Sequence, residues 1–161
     1  IVEAANLLKK NSKLQFHIIG NGKNYKKIKE IILEKNISNI KTYGQIENIY
    51  IKDILKKADA LIFCLKNDFL LNKTIPAKLQ TYMSIGKPII ASIDGETSYI
   101  IENSNCGFAS QSENFELLAE NINKISNLSL NQLKDYGNNA LKFYNKNFNN
   151  EKIINKLIEY L

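Results

Sequence analysis

Five short apolar runs recur along the chain: LQFHIIG (14–20), IKTYG (40–44), DALIFCL (59–65), PIIASI (88–93) and GFAS (107–110). Each is followed by a segment of a different period. Runs this short, apolar without strict alternation, suit strands covered on both faces. Between them, NYKKIKEIILEKN (24–36) sets Tyr25, Ile28, Ile32 and Leu33 along one helical face, and IENIYIKDILKKA (46–58) reads as a second connecting helix. No two-residue turn joins alternating runs, so hairpins are not expected. Parallel strands require crossovers, and helices of about ten residues supply them. The reading is therefore α/β: a Rossmann-like doubly wound parallel sheet with helices on both faces, then a helical C-terminal tail with breaks near Ser129 and Asn149–Asn150. IVEAANLLKKN reads as an opening helix with Ile1, Ala5 and Leu8 on one face. A helix with no strand before it is an odd start to this pattern, which predicts that the chain begins inside a domain.

At 161 residues the chain has the size of one domain, 1–161, and 44% hydrophobic content excludes disorder over most of it. Cys64 and Cys106 suggest no disulfide framework and point to a reduced, cytoplasmic setting. With the single histidine, His17, they cannot build a standard zinc site, and no other cofactor is implied. There is no signal peptide, and no apolar run approaches the roughly 18–20 residues that span a bilayer. The net charge is +6, and all 22 basic residues are lysines, because arginine is absent. Lysine, asparagine and isoleucine are over-used throughout, so the positive charge reflects a bias of the whole chain. No lysine stripe is interleaved with aromatics, and a nucleic-acid partner is set aside. A phosphorylated ligand, or peripheral contact with an anionic membrane face, fits the charge equally well.

Doubly wound sheets bind ligands beyond the carboxyl ends of their strands. Those ends are Gly20–Gly22, Tyr43–Gln45, Leu65–Lys73 and Asp94–Glu96. Gly20-Asn21-Gly22 is a strand-to-helix G-x-G, but the dinucleotide fingerprint needs a third glycine where Tyr25 stands. It also needs an acid at the end of the next strand, where Thr42, Tyr43 and Gly44 stand. An NAD site is disfavoured; the glycines form a tight turn or let a ligand approach the backbone.

The stretch TIPAKLQTYMSIGKPIIASIDGE (74–96) is more informative. Pro76 falls in the first turn of a helix that stops at Gly86, with Pro88 beyond it. Helix fronts carry free N–H groups and a partial positive charge, and acids are preferred there. This one has no acid and holds Lys78, with Lys73 just before. Either the lysines are merely solvated or an anion such as phosphate joins the free N–H groups and the ammonium. Asp94-Gly95-Glu96 reads as a turn and N-cap rather than an acid pair. His17, inside a strand, reads as a core residue. Asp59 reads as a cap or turn, and no Ser-His-Asp set is visible.

Taken in order, FHIIGNGKNYKKIK, IKTYGQI, ILKKADALIFCL, PAKLQTYMSIGKPIIAS, DGETSYII and NCGFAS resemble the C-terminal, donor-binding half of a GT-B, family-4-type (group 1) glycosyltransferase. The tail NFNNEKIINKLIEYL resembles that family's terminal helices. The resemblance implies transfer of a sugar from a nucleotide diphosphate sugar, with this half holding the donor. A separate N-terminal domain, absent here together with the first strand of this one, would hold the acceptor and the base. On that pattern Gly20 and Gly22 approach the donor, and Tyr43, Gly44 and Gln45 lie near its base. Thr74, Ile75, Pro76, Ala77 and Lys78 present N–H groups to the diphosphate, and the 66–73 loop, ending at Lys73, faces the sugar. No catalytic residue is assigned to this half. The family usually carries two glutamates eight positions apart; Lys73 and Thr81 stand there instead, so Thr81 is left to hydrogen-bond the ribose. PAKLQTYM resembles a subgroup of cell-surface polysaccharide assembly that transfers N-acetylated amino sugars or deoxysugars. The rivals are a sugar-nucleotide epimerase of the same architecture and a non-enzymatic α/β binding module.

Overall fold

In a computed structural model, residues 1–149 are described together with Ile154 and Ile158. The break expected at Asn149–Asn150 and the terminal helix expected beyond it lie largely outside the described residues. The element order is α1 (Val2–Leu7), β1 (Phe16–Ile18), α2 (Tyr25–Glu34), β2 (Ile40–Thr42), α3 (Asn48–Lys57), β3 (Leu61–Cys64), α4 (Ala77–Ile85), β4 (Ile89–Ser92), α5 (Glu96–Asn103), β5 (Gly107–Ser110), α6 (Phe115–Ser126) and α7 (Leu130–Asn147). A single 3₁₀ turn, Leu71–Lys73, interrupts the loop before α4. All strand pairs are parallel, as the alternation required. Among the described residues the ladders are two: β1–β2, with Phe16 opposite Ile40, and β3–β4–β5, with Ile89 between Leu61 and Gly107.

Apolar side chains on both faces fix this sheet between helices. On one face Ala4, Ala5, Phe16, Ile40, Ile90, Leu118 and Ile122 form a buried cluster under α1 and α6. On the other, Phe63, Leu79, Met83, Ala91, Ile93 and Ile101 pack beneath α4, α5 and α7. All four residues of β4 are buried, which explains its continuous apolar run. His17 departs from the expectation of a core residue: it is exposed in mid-strand, and its Nδ1 lies 2.7 Å from the Tyr43 hydroxyl.

Helix ends follow local chemistry. The Asn114 side chain accepts from Leu117 N–H at 2.9 Å to start α6, and Ser129 forms a capping box with Gln132 to start α7. The break expected near Ser129 is thus a cap. Pro76 is the N-cap of α4, at ψ 142°, one position earlier than a first-turn residue. Gly86 ends α4 in the left-handed region at φ 75°. Asp94 does not cap α5: Gly95 is the N-cap, and Asp94 Oδ1 instead accepts from Ser112 N–H across the sheet end.

α7 closes over the end of α4 at one point of close approach. A Cβ on Gly137 would fall on the Gly86 carbonyl, and one on Gly86 would meet the Leu141 side chain. Helix propensity alone favours Gly137→Ala by about 1 kcal/mol. Steric overlap with backbone reverses the sign, and the substitution is expected to cost about 1–3 kcal/mol. Urea unfolding monitored by circular dichroism measures it; a midpoint raised by Gly137→Ala would show that the helices part without cost.

Candidate functional site

The residues singled out in sequence fall into two groups at the carboxyl ends of the strands. In the first, the Gly20 N–H donates to the Gly44 carbonyl at 2.6 Å, and Tyr43 N–H donates to Ile18 at 3.0 Å. This ties the turn after β1 to the turn after β2. Gly20 takes φ 132°, while Gly22 is an ordinary exposed turn residue whose added Cβ would meet open space. The turn itself therefore does not explain a glycine at 22. Tyr43 lies stacked on His17 with ring centroids 5.5 Å apart, and Gln45 is exposed beside it.

The second group is the 66–78 segment, in which sequence reasoning read a loop at 66–73 followed by the front of a helix. It is built. Asp68 Oδ1 accepts from the N–H groups of Leu70 and Leu71 at 2.9 and 3.1 Å, and Asn72 Nδ2 donates to Asn67 Oδ1 at 3.0 Å. These bonds set the 3₁₀ turn and hold Phe69 and Leu70 out in solvent. Lys73 places its ammonium 4.1 Å from the Phe69 ring centroid. Thr74 donates to the Leu71 carbonyl at 3.1 Å, and its own carbonyl accepts from the fully buried Thr97 hydroxyl at 3.1 Å. Beneath the turn, a Cβ on Gly95 would fall on the Asn72 carbonyl, so only glycine lets α5 approach this closely. Asp68, Gly95 and Thr97 were not legible as site residues, because their partners lie on another element or on backbone.

α4 then begins with Ala77 and Lys78, both exposed, with no acid in its first turn and no side-chain cap on its free N–H groups. Ile75 is half-exposed before it. Thr81, one turn in, donates to the Ala77 carbonyl at 3.0 Å, which leaves its oxygen lone pairs as acceptors.

Lys78 lies near the end of β3. Burial pushes the Cys64 thiol up in pKa, opposed by the Ser92 backbone and the Lys78 ammonium. Beside it a cleft of about 290 Å³ opens between the start of α1, Cys64, Lys66, Ser92 and Phe115. The arrangement offers backbone N–H groups and one ammonium at a sheet's carboxyl end, which suits an anion.

The model of the family described as glycosyl transferases group 1 matches residues 1–143. The chain belongs to this family. No curated protein matches it by sequence. Among solved structures, S. aureus TarM, crystallised with UDP, superposes with a TM-score of 0.80 at 22% identity, covering 98% of this chain and 31% of that one. A glycosyltransferase from Rickettsia africae gives 0.80 at 21%, covering 99% and 42%. HepE from Anabaena, solved with UDP-glucose, gives 0.77 at 17%, covering 98% and 44%. The chain therefore shares the fold of the matched part of each, in keeping with the C-terminal half of a GT-B fold, and spans less than half the length of each.

The built turn yields a test. Thr97→Val preserves shape but leaves the Thr74 carbonyl without its partner, and is expected to cost about 1–2 kcal/mol in urea unfolding. Limited proteolysis should cut residues 66–76 several-fold faster than in the parent. Unchanged cleavage would show that Thr97 does not hold the segment.

Proposed function

We propose that this chain is the donor-binding half of a glycosyltransferase that takes its sugar from a nucleotide diphosphate sugar, a UDP-sugar first of all. The observation that carries the reading is the front turn of α4: uncapped N–H groups, no acid and an exposed Lys78, beside the end of β3. Breaking the bond from sugar to phosphate builds negative charge on the departing diphosphate. N–H dipoles and an ammonium fixed at that place stabilise it without a carboxylate. Gly22, for which the chain's own packing gives no reason, suits a backbone approached from outside. UDP and UDP-glucose in the TarM and HepE crystals support the choice of base.

On this reading Lys73 to Lys78 face the diphosphate and sugar, Thr81 accepts from the ribose, and Gly20 with Tyr43 to Gln45 border the base. Acceptor and catalytic base belong to a further domain of the same protein, and this chain alone has no turnover. The resemblance of PAKLQTYM extends the proposal to hexosyl or N-acetylhexosaminyl transfer onto a glycan or lipid-linked acceptor in cell-surface polysaccharide assembly. That work would take place in the cytoplasm or at the inner membrane face. Among the described residues no helix is long and apolar enough to cross a membrane. Family membership supports transfer over the epimerase and the non-enzymatic module.

Calorimetric titration with UDP tests the site. Binding is expected to be weak, to fall with added salt, and to lose about three- to tenfold in affinity in Lys78→Ala, the worth of one exposed charge-assisted bond. Lys57→Ala, on the last turn of α3, should leave it unchanged. Absence of binding to any nucleoside diphosphate, or equal loss in both variants, would remove the assignment.

A further inference from the structure

Three consecutive large apolar side chains stand in solvent at the tip of the propped turn: Phe69 at 71% exposure, Leu70 at 69% and Leu71 at 36%. Ile75, also at 36%, follows just before α4. Exposed apolar residues elsewhere, such as Leu33 on α2 and Leu130 on α7, stand singly, and single ones need no explanation. Among the described residues no other run of three is exposed. A slack loop would fold such side chains back onto the protein. Here the turn holds them out. The Asp68 carboxylate fixes the Leu70 and Leu71 amides, and Asn72 Nδ2 donates to Asn67. Thr74 is bonded both to the Leu71 carbonyl and to the Thr97 hydroxyl. A backbone ordered so as to keep apolar groups in water implies a cover from outside the chain.

Lysines flank the tip. Lys66 precedes it, Lys73 closes the 3₁₀ turn and Lys78 lies in the first turn of α4, all three exposed. Between Leu61 and Ile93 the chain has four lysines and one acid, Asp68, whose Oδ1 already accepts from two backbone N–H groups. Glu96 begins α5 beneath the turn, yet among the described residues the ion pairs, Lys35 with Glu3 and Lys56 with Asp53, lie elsewhere. The Lys73 ammonium rests over the Phe69 ring instead, 4.1 Å from its centroid. Side chains at a membrane boundary take this form, with the apolar body in the apolar phase and the charge kept at the polar edge.

We infer that the Phe69–Leu70–Leu71 tip, with Lys66, Lys73 and Lys78 around it, is a docking surface for an anionic lipid bilayer. Phe69 and Leu70 enter the boundary between headgroups and acyl chains, and the ammonium groups meet lipid phosphates at its polar edge. Charge complementarity selects this occupant. A second copy of the chain, at net charge +6, would set like charges face to face. A purely apolar partner would strip water from three ammonium groups and return no anion to them. The docking surface deepens the location proposed above by naming the segment that makes the contact, and it stands without the donor reading. Where both hold, it brings the front of α4 to the plane in which a lipid-linked acceptor carries its reactive end.

The chain has no tryptophan, so Phe69→Trp installs a single reporter at the tip. Vesicles of phosphatidylglycerol and phosphatidylcholine in equal parts are expected to shift its emission to the blue, and brominated acyl chains to quench it. Leu33→Trp, on the last turn of α2, should show neither effect. Co-sedimentation with the same vesicles measures the partition. Phe69→Ser combined with Leu70→Ser is expected to lower it about tenfold. Lys73→Gln should lower it about fivefold, and Lys57→Gln should leave it unchanged. If the serine variant unfolds, the tryptophan pair decides alone. Failure of the chain to bind protein-free anionic vesicles overturns the inference and leaves an acidic protein as the cover. Equal losses in the two lysine variants, with none in the serine variant, overturn it too, as adsorption by net charge alone. The same holds for a blue shift produced by UDP without lipid, or by raising the protein concentration, which would place the donor or a second copy on the tip. UDP titration without vesicles tests the donor site separately, so either reading can fail while the other stands.

Discussion

Every peptide group in a parallel sheet covered on both faces must find its partner in a neighbouring strand, because no water reaches it. β4 meets this condition most fully. Its residues Ile89 to Ser92 are all buried, β3 and β5 pair with it on either side, and helices of both layers bury their side chains against Ile90 or Ile89 and Ala91. Close packing at this strand reaches backbone contact: a Cβ on Gly107 would fall on the Ile89 carbonyl. The placement of α4, α5 and α6, and so of every turn at the carboxyl edge, depends on this strand.

The candidate site inherits its rigidity from that arrangement. Segment 66–76 lies beyond the sheet and buries little of its own, yet it is held from beneath by Thr97 and by the close approach that Gly95 permits. Asp68 then ties it internally. The result is a helix front whose N–H groups and lysine are presented outward rather than consumed by a cap. A capping serine or a first-turn glutamate would stabilise α4 more; α4 has neither, as is true of α2 and α3, and adds an exposed Lys78 near the end of β3.

The fold was legible because its cause is periodic. Buried parallel strands demand unbroken apolar runs, and GFAS and PIIASI could be placed to within a residue or two. Gly86 and Ser129 marked helix ends through local backbone and side-chain chemistry that needs no partner elsewhere in the chain. His17 was misread because a single apolar neighbourhood in sequence does not reveal whether the strand beside it is covered. The turn and N-cap read at Asp94-Gly95-Glu96 fall on Gly95, whereas the Asp94 carboxylate serves Ser112, eighteen residues away, which no local pattern shows.

The sequence by itself determined the strand and helix order, the parallel sense of the sheet, the apolar core positions and the family, since all of these rest on short-range period and on ordered motifs. Tertiary structure decided that the ladders are two, that residues 66–76 form a propped turn, that Gly20 and Gly44 share a hydrogen bond, and that His17 lies open against Tyr43. Each of these joins or parts groups that are distant along the chain. Their energies depend on which surfaces meet, and no local pattern of residues carries that information.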